Sequence, residues 1–256
     1  MKRRLFILRM LFVIYIGQGF CEGFIRFQFR KTQLFTQPKL FQLSQNILDT
    51  NGHNKQDSKS SLQPQTSIAD YHNLIKSYSQ QGKYLEICNI IDQMYYNHIL
   101  PTTDCYRTAI VACTKARQWR SSLGLLNKMK QSKVNPDVIC LNSVITACGN
   151  GRQWKTALEV FNSMESHGIK PDVITFSAVI SACEKGGQWK KALEVFNSME
   201  SHGIKPDVIT FSAVISACEK GGQWKKALEV FNSMESHGIR PNVKTFGSLI
   251  SACEKG

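Results

Sequence analysis

The sequence predicts an all-α fold, a right-handed α-solenoid built from antiparallel helix-hairpin repeats. Three observations predict it. Single residue types recur every 35 residues, each half of the unit carries an apolar stripe at helical spacing, and Gly and Pro stand where each helix should stop. Pro101, Pro136, Pro171, Pro206 and Pro241 share one phase, as do Met94, Met129, Met164, Met199 and Met234, and as do Trp119, Trp154, Trp189 and Trp224. This phase frames repeats at 68–102, 103–137, 138–172, 173–207 and 208–242, with a partial repeat at 243–256.

The repeat 173–207 shows why each unit is a hairpin. Phe176, Val179, Ile180 and Cys183 follow the i, i+3, i+4, i+7 pattern of one helical face. Asp172 precedes them as an N-cap, with Pro171 just outside. Gly186-Gly187 ends this first helix, since glycine accepts the left-handed cap conformation. Trp189, Ala192, Leu193, Phe196 and Met199 form the stripe of a second helix, which Gly203 ends and Pro206 prevents from continuing. One such hairpin cannot cover its own apolar stripe, whereas a stack of them can. The Trp and Met stripes are therefore expected to be core packing rather than a cofactor box.

Charge says less than its total suggests. The formal net charge is +13, but residues 1–67 hold Lys2, Arg3, Arg4, Arg9, Arg26, Arg30, Lys31, Lys39, Lys55 and Lys59 against Glu22, Asp49 and Asp57. They account for +7, leaving +6 for the remaining 189 residues. A nucleic-acid partner must be argued from the placement of side chains, not from net charge.

The nine cysteines are not spaced as a metal or disulfide framework. Cys113, Cys148, Cys183, Cys218 and Cys253 fall once per repeat, Cys105 and Cys140 repeat the interval, and no CxxC pair exists. They are expected to be small apolar core residues in a reducing compartment, with no metal and no cofactor. His167, His202 and His237 also recur once per repeat, which makes them capping or surface residues rather than catalytic ones. The sequence carries neither an HxE…CxxC deaminase signature nor a cluster of acidic metal ligands, so the chain is expected not to be an enzyme.

The N-terminus reads as a targeting presequence over 1–48. Met1–Arg9 is basic, Met10–Ile16 is a short apolar run, and Gly17, Gly19 and Gly23 follow, as in a secretory signal. Gly23–Leu48 then lacks Asp and Glu but carries Arg26, Arg30, Lys31 and Lys39, as in a transit peptide. The order, with Phe20 or Phe24 at the junction, resembles the bipartite presequence of complex plastids. A single mitochondrial presequence is the rival. The expected location is an organelle, plastid before mitochondrion. Residues 49–67 contain one large apolar residue, Leu62, and read as a disordered linker.

The units end in Gly-Ile-Lys-Pro-Asp, open with Val-Ile-Thr-Phe and contain Ala-Leu-Glu-Val-Phe-Asn-Ser-Met. With a period of 35, this resembles the pentatricopeptide repeat family, P-type units, across residues 68–256. The pattern is full from 138 onward and departs from the family at His72, Tyr78 and Thr102. The resemblance implies sequence-specific binding of single-stranded RNA, about one base per repeat, in support of organelle RNA processing, stability or translation. It further implies that the residue at repeat position 5 and the last residue select the base, that position 2 stacks on it, and that a Lys at position 13 approaches a phosphate.

Carried onto this chain, the base-selecting pairs are Asn142 with Asp172, Ser177 with Asp207 and Ser212 with Asn242. The base-stacking residues are Ile139, Ile174 and Ile209, and the phosphate contacts are Lys185 and Lys220. The three pairs resemble the uridine, guanine and adenine combinations, so the array is expected to prefer a core 5′-UGA-3′. Arg107 with Asp137, beside Asp104, and His72 with Thr102 match no assigned combination, and Lys244 and Gly247 replace the stacking and selecting residues of the partial repeat. Positions 2, 5, 9 and 13 are expected along one exposed face of the first helix. Each residue also has a plainer role: Asp172, Asp207 and Asn242 as N-caps, Ile174 as packing against the next repeat, Lys185 as a solvated charge.

Two other functions fit the same pattern. One is a protein-binding scaffold, since helical repeats often hold peptides. The other is the RNA-binding fragment of a longer RNA-processing enzyme. The chain closes on Glu254-Lys255-Gly256 after a first helix, leaving Phe246, Leu249, Ile250 and Cys253 to face nothing. The expectation is a truncated gene model or a protein partner at that end.

Overall fold

A computed structural model describes residues 67–255 of the chain. The presequence and all but the last residue of the linker lie outside the described residues. Eleven helices and no strands occur among the described residues. They pair as hairpins: α1 Ile68–Gln80 with α2 Tyr84–Tyr96, α3 Thr103–Lys115 with α4 Trp119–Gln131, α5 Val138–Asn150 with α6 Trp154–Ser166. The series continues with α7 Val173–Lys185 and α8 Trp189–Ser201, α9 Val208–Lys220 and α10 Trp224–Ser236, and ends on α11 Val243–Glu254. None is long and apolar enough to cross a membrane.

The caps predicted from sequence set the helix starts. Asp172 has extended backbone and its side chain accepts from the Thr175 amide, while the Thr175 hydroxyl receives the Asp172 amide. Asp207 with Thr210 and Asn242 with Thr245 repeat this reciprocal capping box. Such caps stabilise a helix by about 1 kcal/mol each. Second helices have no side-chain cap at Gln153, Gln188 or Gln223, so packing must hold them.

That packing is nearest-neighbour in character. First helices contact the first helices of adjacent repeats, and each second helix contacts its own first helix and the next one. The apolar stripe of α7 is fully enclosed, with Phe176, Val179, Ile180 and Cys183 at 0% exposure. Met94, Met129, Met164, Met199 and Met234 are likewise at 0%. Phe176 sits edge-on between Phe161 of the preceding repeat and His202 of its own, with centroids 5.2 and 5.3 Å away. His202 Nδ1 lies 2.7 Å from the Ser198 carbonyl, so the repeated histidines close the second helices as expected.

The cysteines follow the predicted pattern inside the array. Cys105, Cys113, Cys140, Cys148, Cys183 and Cys218 are buried and unbridged, while Cys88 is half-buried and Cys253 exposed. Burial pushes the Cys183 and Cys218 thiols up to about 11, which keeps them protonated and inert.

The tryptophans differ from expectation. Each is half-buried rather than part of the enclosed core. Each opens a second helix, at the turn of its hairpin, and Trp119, Trp154 and Trp189 lie against a glycine of the following repeat. A Cβ at Gly186 would stand 2.5 Å from Trp154 Cδ1, and one at Gly151 or Gly221 would stand 2.3 Å from Trp119 or Trp189. Gly186 itself is right-handed; the left-handed residue of the turn is Gly187, at φ 70°.

Candidate functional site

The start of each first helix brings together the residues that sequence reasoning singled out. The N-cap is the last residue of one repeat, and one turn away lie positions 2 and 3 of the next. Position 2 is open. Ile139, Ile174 and Ile209 are 49%, 63% and 62% exposed, so they do not pack against the next repeat. Three isoleucines in register on one face are an apolar surface without a protein partner among the described residues.

Position 5 departs from the expected open face. Asn142 is 9% and Ser212 1% exposed, and Ser177 is half-buried. The cause is a hydrogen-bond network across the repeat boundary. Thr175 Oγ1 lies 2.7 Å from Asn142 Oδ1, and Asn142 Nδ2 donates to Asp172 Oδ1 at 3.2 Å. Ser177 meets Thr210 at 2.7 Å and Ser212 meets Thr245 at 2.8 Å, hydroxyl to hydroxyl. Ser212 also donates to the Val208 carbonyl at 2.7 Å. Position 9 is drawn in too: Ser216 is buried and donates to Glu184 Oε1 at 2.8 Å. Sequence reading missed Thr175, Thr210 and Thr245, although their 35-residue recurrence three residues after each cap is visible.

The caps leave one atom each unengaged. Asp172, Asp207 and Asn242 all accept the Thr amide through Oδ1, at 2.7, 2.8 and 2.9 Å. No hydrogen bond among the described residues uses Asp207 Oδ2 or Asn242 Nδ2. Burial works against the charge on Asp172, but the hydrogen bonds from Thr175 and Asn142 outweigh it and hold its carboxyl below the usual carboxylate range. At pH 7 this carboxylate is an acceptor only. Asp172 and Asp207, at the starts of the helices that carry the exposed Ile174 and Ile209, thus each present a polar atom whose donor or acceptor character is set by a single residue.

In repeat 103–137 the same positions close on themselves. Arg107 bridges to Asp104, and its Nε lies 3.1 Å from Asp137 Oδ2. The stacking, selecting and last positions are therefore joined in one ionic cluster with an excess negative charge. The stacking position of this repeat thus presents a carboxylate, Asp104, in place of an isoleucine.

The two lysines expected to meet phosphate differ in surroundings. Lys220 pairs with Glu184 at 2.8 Å, whose side chain is only 9% exposed. Lys185 has no such partner, because Gly149 stands one repeat before Glu184; it donates to Asn150 Oδ1 at 2.7 Å instead. Partial burial, together with Lys244, Lys220 and Arg117, lowers its pKa against the opposing pull of Glu184. Lys185 is therefore a cation among cations, while Lys220 is neutralised by its neighbour. Lys220 thus differs from Lys185, the other lysine expected at a phosphate, in already having a carboxylate partner.

No group of metal-binding side chains occurs among the described residues. Two surface depressions there are lined by second-helix residues and by Pro171 in one and Arg240 and Pro241 in the other, next to the caps Asp172 and Asn242.

Comparison with known proteins fits this geometry. The family model described as the pentacotripeptide-repeat region of PRORP matches residues 96–256, and the pentatricopeptide repeat domain model matches residues 61–116. No curated protein matches the chain. Among solved structures, the maize pentatricopeptide repeat protein PPR10 in complex with an 18-nt psaJ RNA element is 25% identical, with a TM-score of 0.63. The match covers 73% of this chain and 28% of that one, so the chain spans little more than a quarter of PPR10. The PPR domain of Arabidopsis thaliana protein-only RNase P 1, in complex with tRNA, is 15% identical with a TM-score of 0.64, covering 73% of this chain and 100% of that one. Nuclear protein-only RNase P 2 of Arabidopsis thaliana is 16% identical with a TM-score of 0.65, covering 73% and 43%. These last two likenesses show the fold. With a family model spanning well over half its length, the chain belongs to the pentatricopeptide repeat family.

Proposed function

We propose that residues 68–242 bind single-stranded RNA in a sequence-dependent way, one base per repeat, without catalysing a reaction. The observation that carries this is the recurrence, once per repeat, of an exposed isoleucine at the start of a first helix and a cap with one side-chain atom unengaged: Ile139, Ile174 and Ile209, with Asp172, Asp207 and Asn242. An apolar platform beside a polar atom is what an unstacked base requires. RNA in the PPR10 complex supports the assignment. Asn142 and Asp172, Ser177 and Asp207, and Ser212 and Asn242 are the base-selecting pairs, reading 5′-UGA-3′ as the family resemblance implies. The burial of position 5 shifts the weight of selection toward the last residue, with position 5 bracing it through the Thr bridge.

The site serves RNA processing, stability or translation in an organelle; the basic, acid-poor presequence over residues 1–48 supports that location. A second reading, the RNA-binding part of an RNA-processing enzyme, draws on the match of residues 96–256 to the PRORP repeat region.

Three stacked bases contribute on the order of 1–3 kcal/mol each before association costs, so binding is expected to be about micromolar or weaker. The test is titration of a nine-nucleotide RNA containing UGA against one with the same composition scrambled. Preference for UGA, falling steeply with salt, is expected; binding neither RNA at low salt would return the array to the protein-scaffold reading. The lysines give a separate expectation. Lys185→Ala should reduce the slope of log K against log salt by about 0.7, the value for one phosphate contact on a single strand. Lys220→Ala should leave it nearly unchanged, because Glu184 already neutralises Lys220.

A further inference from the structure

The charge of the array is sorted between its surfaces. Residues 68–256 contain 22 Lys and Arg against 16 Asp and Glu. Eleven of the basic residues lie in four short segments, 115–121, 150–156, 185–191 and 220–226, which contain no acidic residue at all. The remainder of the array is therefore net negative. Each segment is the turn joining the two helices of a hairpin, with the last residue of the first helix and the opening of the second.

These turns are neighbours in space. Trp119, Trp154 and Trp189 each lie on the turn glycine of the following repeat, Gly151, Gly186 and Gly221. The four segments thus form one continuous edge, pinned at a fixed spacing by indole on backbone. All eleven cations on it are exposed. Among the described residues Lys191, Lys220 and Lys226 have carboxylate partners; Lys115, Arg117, Arg120, Arg152, Lys155, Lys185, Lys190 and Lys225 have none. One of them stands over each tryptophan: Arg120 4.5 Å from the Trp119 ring, and Lys155, Lys190 and Lys225 5.5–5.6 Å from theirs.

A row of cations, eight of the eleven without a carboxylate partner, on an otherwise acidic array focuses potential along one line. A protein partner would meet this edge with scattered carboxylates. A polymer with one anion per unit, at regular spacing, matches a row that repeats once per hairpin. We infer that the turn edge of the array, from Lys115 to Lys226, holds the RNA phosphate backbone without regard to sequence, extending the phosphate contact at Lys185 along the whole row of turns, distinct from the cap positions that select bases. It supplies the salt-dependent attraction that three base contacts cannot.

This surface does not depend on the base-selecting reading, so the two can fail separately. The probe is a twenty-nucleotide oligo(U) RNA, titrated at several salt concentrations. The edge variant Arg120→Gln, Lys155→Gln, Lys190→Gln, Lys225→Gln removes one cation per turn. A control variant, Lys133→Gln, Lys170→Gln, Lys205→Gln, Arg240→Gln, removes the same charge from the opposite edge, where the exposed cations share the surface with Glu165, Glu200 and Glu235. The slope of log K against log salt should fall by about 2–3 in the edge variant, at about 0.7 per contact, and stay near wild type in the control. A rescue variant, Lys155→Arg, Lys190→Arg, Lys225→Arg, which keeps a cation over each ring as Arg120 does over Trp119, should bind like wild type and excludes simple misfolding. Equal losses in edge and control variants, or an unchanged slope in the edge variant, overturn the inference. Edge-dependent oligo(U) binding without discrimination between UGA and its scramble supports this surface and refutes base selection alone.

Discussion

Replacing Asn242 with Asp is expected to convert a preference for UGA into a preference for UGG. Repeats 173–207 and 208–242 differ only in Lys205 against Arg240 and Asp207 against Asn242. Both caps accept the Thr amide through Oδ1 with nearly the same length, 2.8 and 2.9 Å. Cap requirements therefore fix which atom of Asn242 faces outward: the acceptor is taken, and the amide nitrogen remains. An outward N–H donor suits adenine, whose pairing edge offers the N1 acceptor. An outward carboxylate oxygen suits guanine, whose edge offers two N–H donors. A mismatched donor or acceptor in a desolvated contact costs about 1–3 kcal/mol, so Asn242→Asp should shift the ratio of UGA to UGG affinity by about tenfold or more. Asp207→Asn should make the converse change at the central base. Neither change should alter the melting temperature noticeably, since Asp and Asn cap about equally well. Fluorescence anisotropy with the two RNAs is sufficient; equal affinity of wild type for both would end the assignment of Asn242.

Much of the fold was legible because each hairpin is specified locally. The stripe Phe176, Val179, Ile180, Cys183 identified the buried face of α7, and Asp172 and Gly186-Gly187 marked its ends. What the sequence hid lies between repeats, in contacts that join residues about 30 to 36 positions apart. Reading one unit at a time gives the helix faces but not the register of one hairpin on the next. The burial of Asn142 and Ser212 depends on that register, since their partners Thr175 and Thr245 belong to the following repeat. So does the neutralisation of Lys220 by Glu184, and so does the closure of Asp104, Arg107 and Asp137. The same blindness applies to charge. Net charge per repeat conceals that the basic residues gather at one turn and the acidic ones elsewhere, which only the stacking of turns makes into a surface.

The paired glycines at the turns show how strongly this register controls stability. In sequence Gly186 and Gly187 look interchangeable; in the structure they answer to different constraints. Gly187 is left-handed at φ 70° with open space around it, and Arg152 fills the equivalent place one repeat earlier at φ 57°. Gly187→Arg should therefore cost only about 1 kcal/mol, the left-handed penalty of a non-glycine residue. Gly186 has ordinary backbone angles but no room, because Trp154 Cδ1 lies 2.5 Å from where a Cβ would stand. Gly186→Ala must push Trp154 off the seam between repeats 138–172 and 173–207, an overpacking cost of about 1–3 kcal/mol. For an array of this size that corresponds to a fall in melting temperature of about 2–10 °C. The chain supplies its own remedy. Where Ala116 replaces the glycine, the preceding repeat carries Tyr84 in the tryptophan position. The double variant Gly186→Ala, Trp154→Tyr should thus recover part of the loss, with a coupling of about 1 kcal/mol between the two sites. Gly187→Arg should show no coupling with Trp154→Tyr. Additive effects of Gly186→Ala and Trp154→Tyr in thermal or urea unfolding would mean that the indole does not fix the repeat register, and the turn edge would lose the rigid spacing of its cations with it.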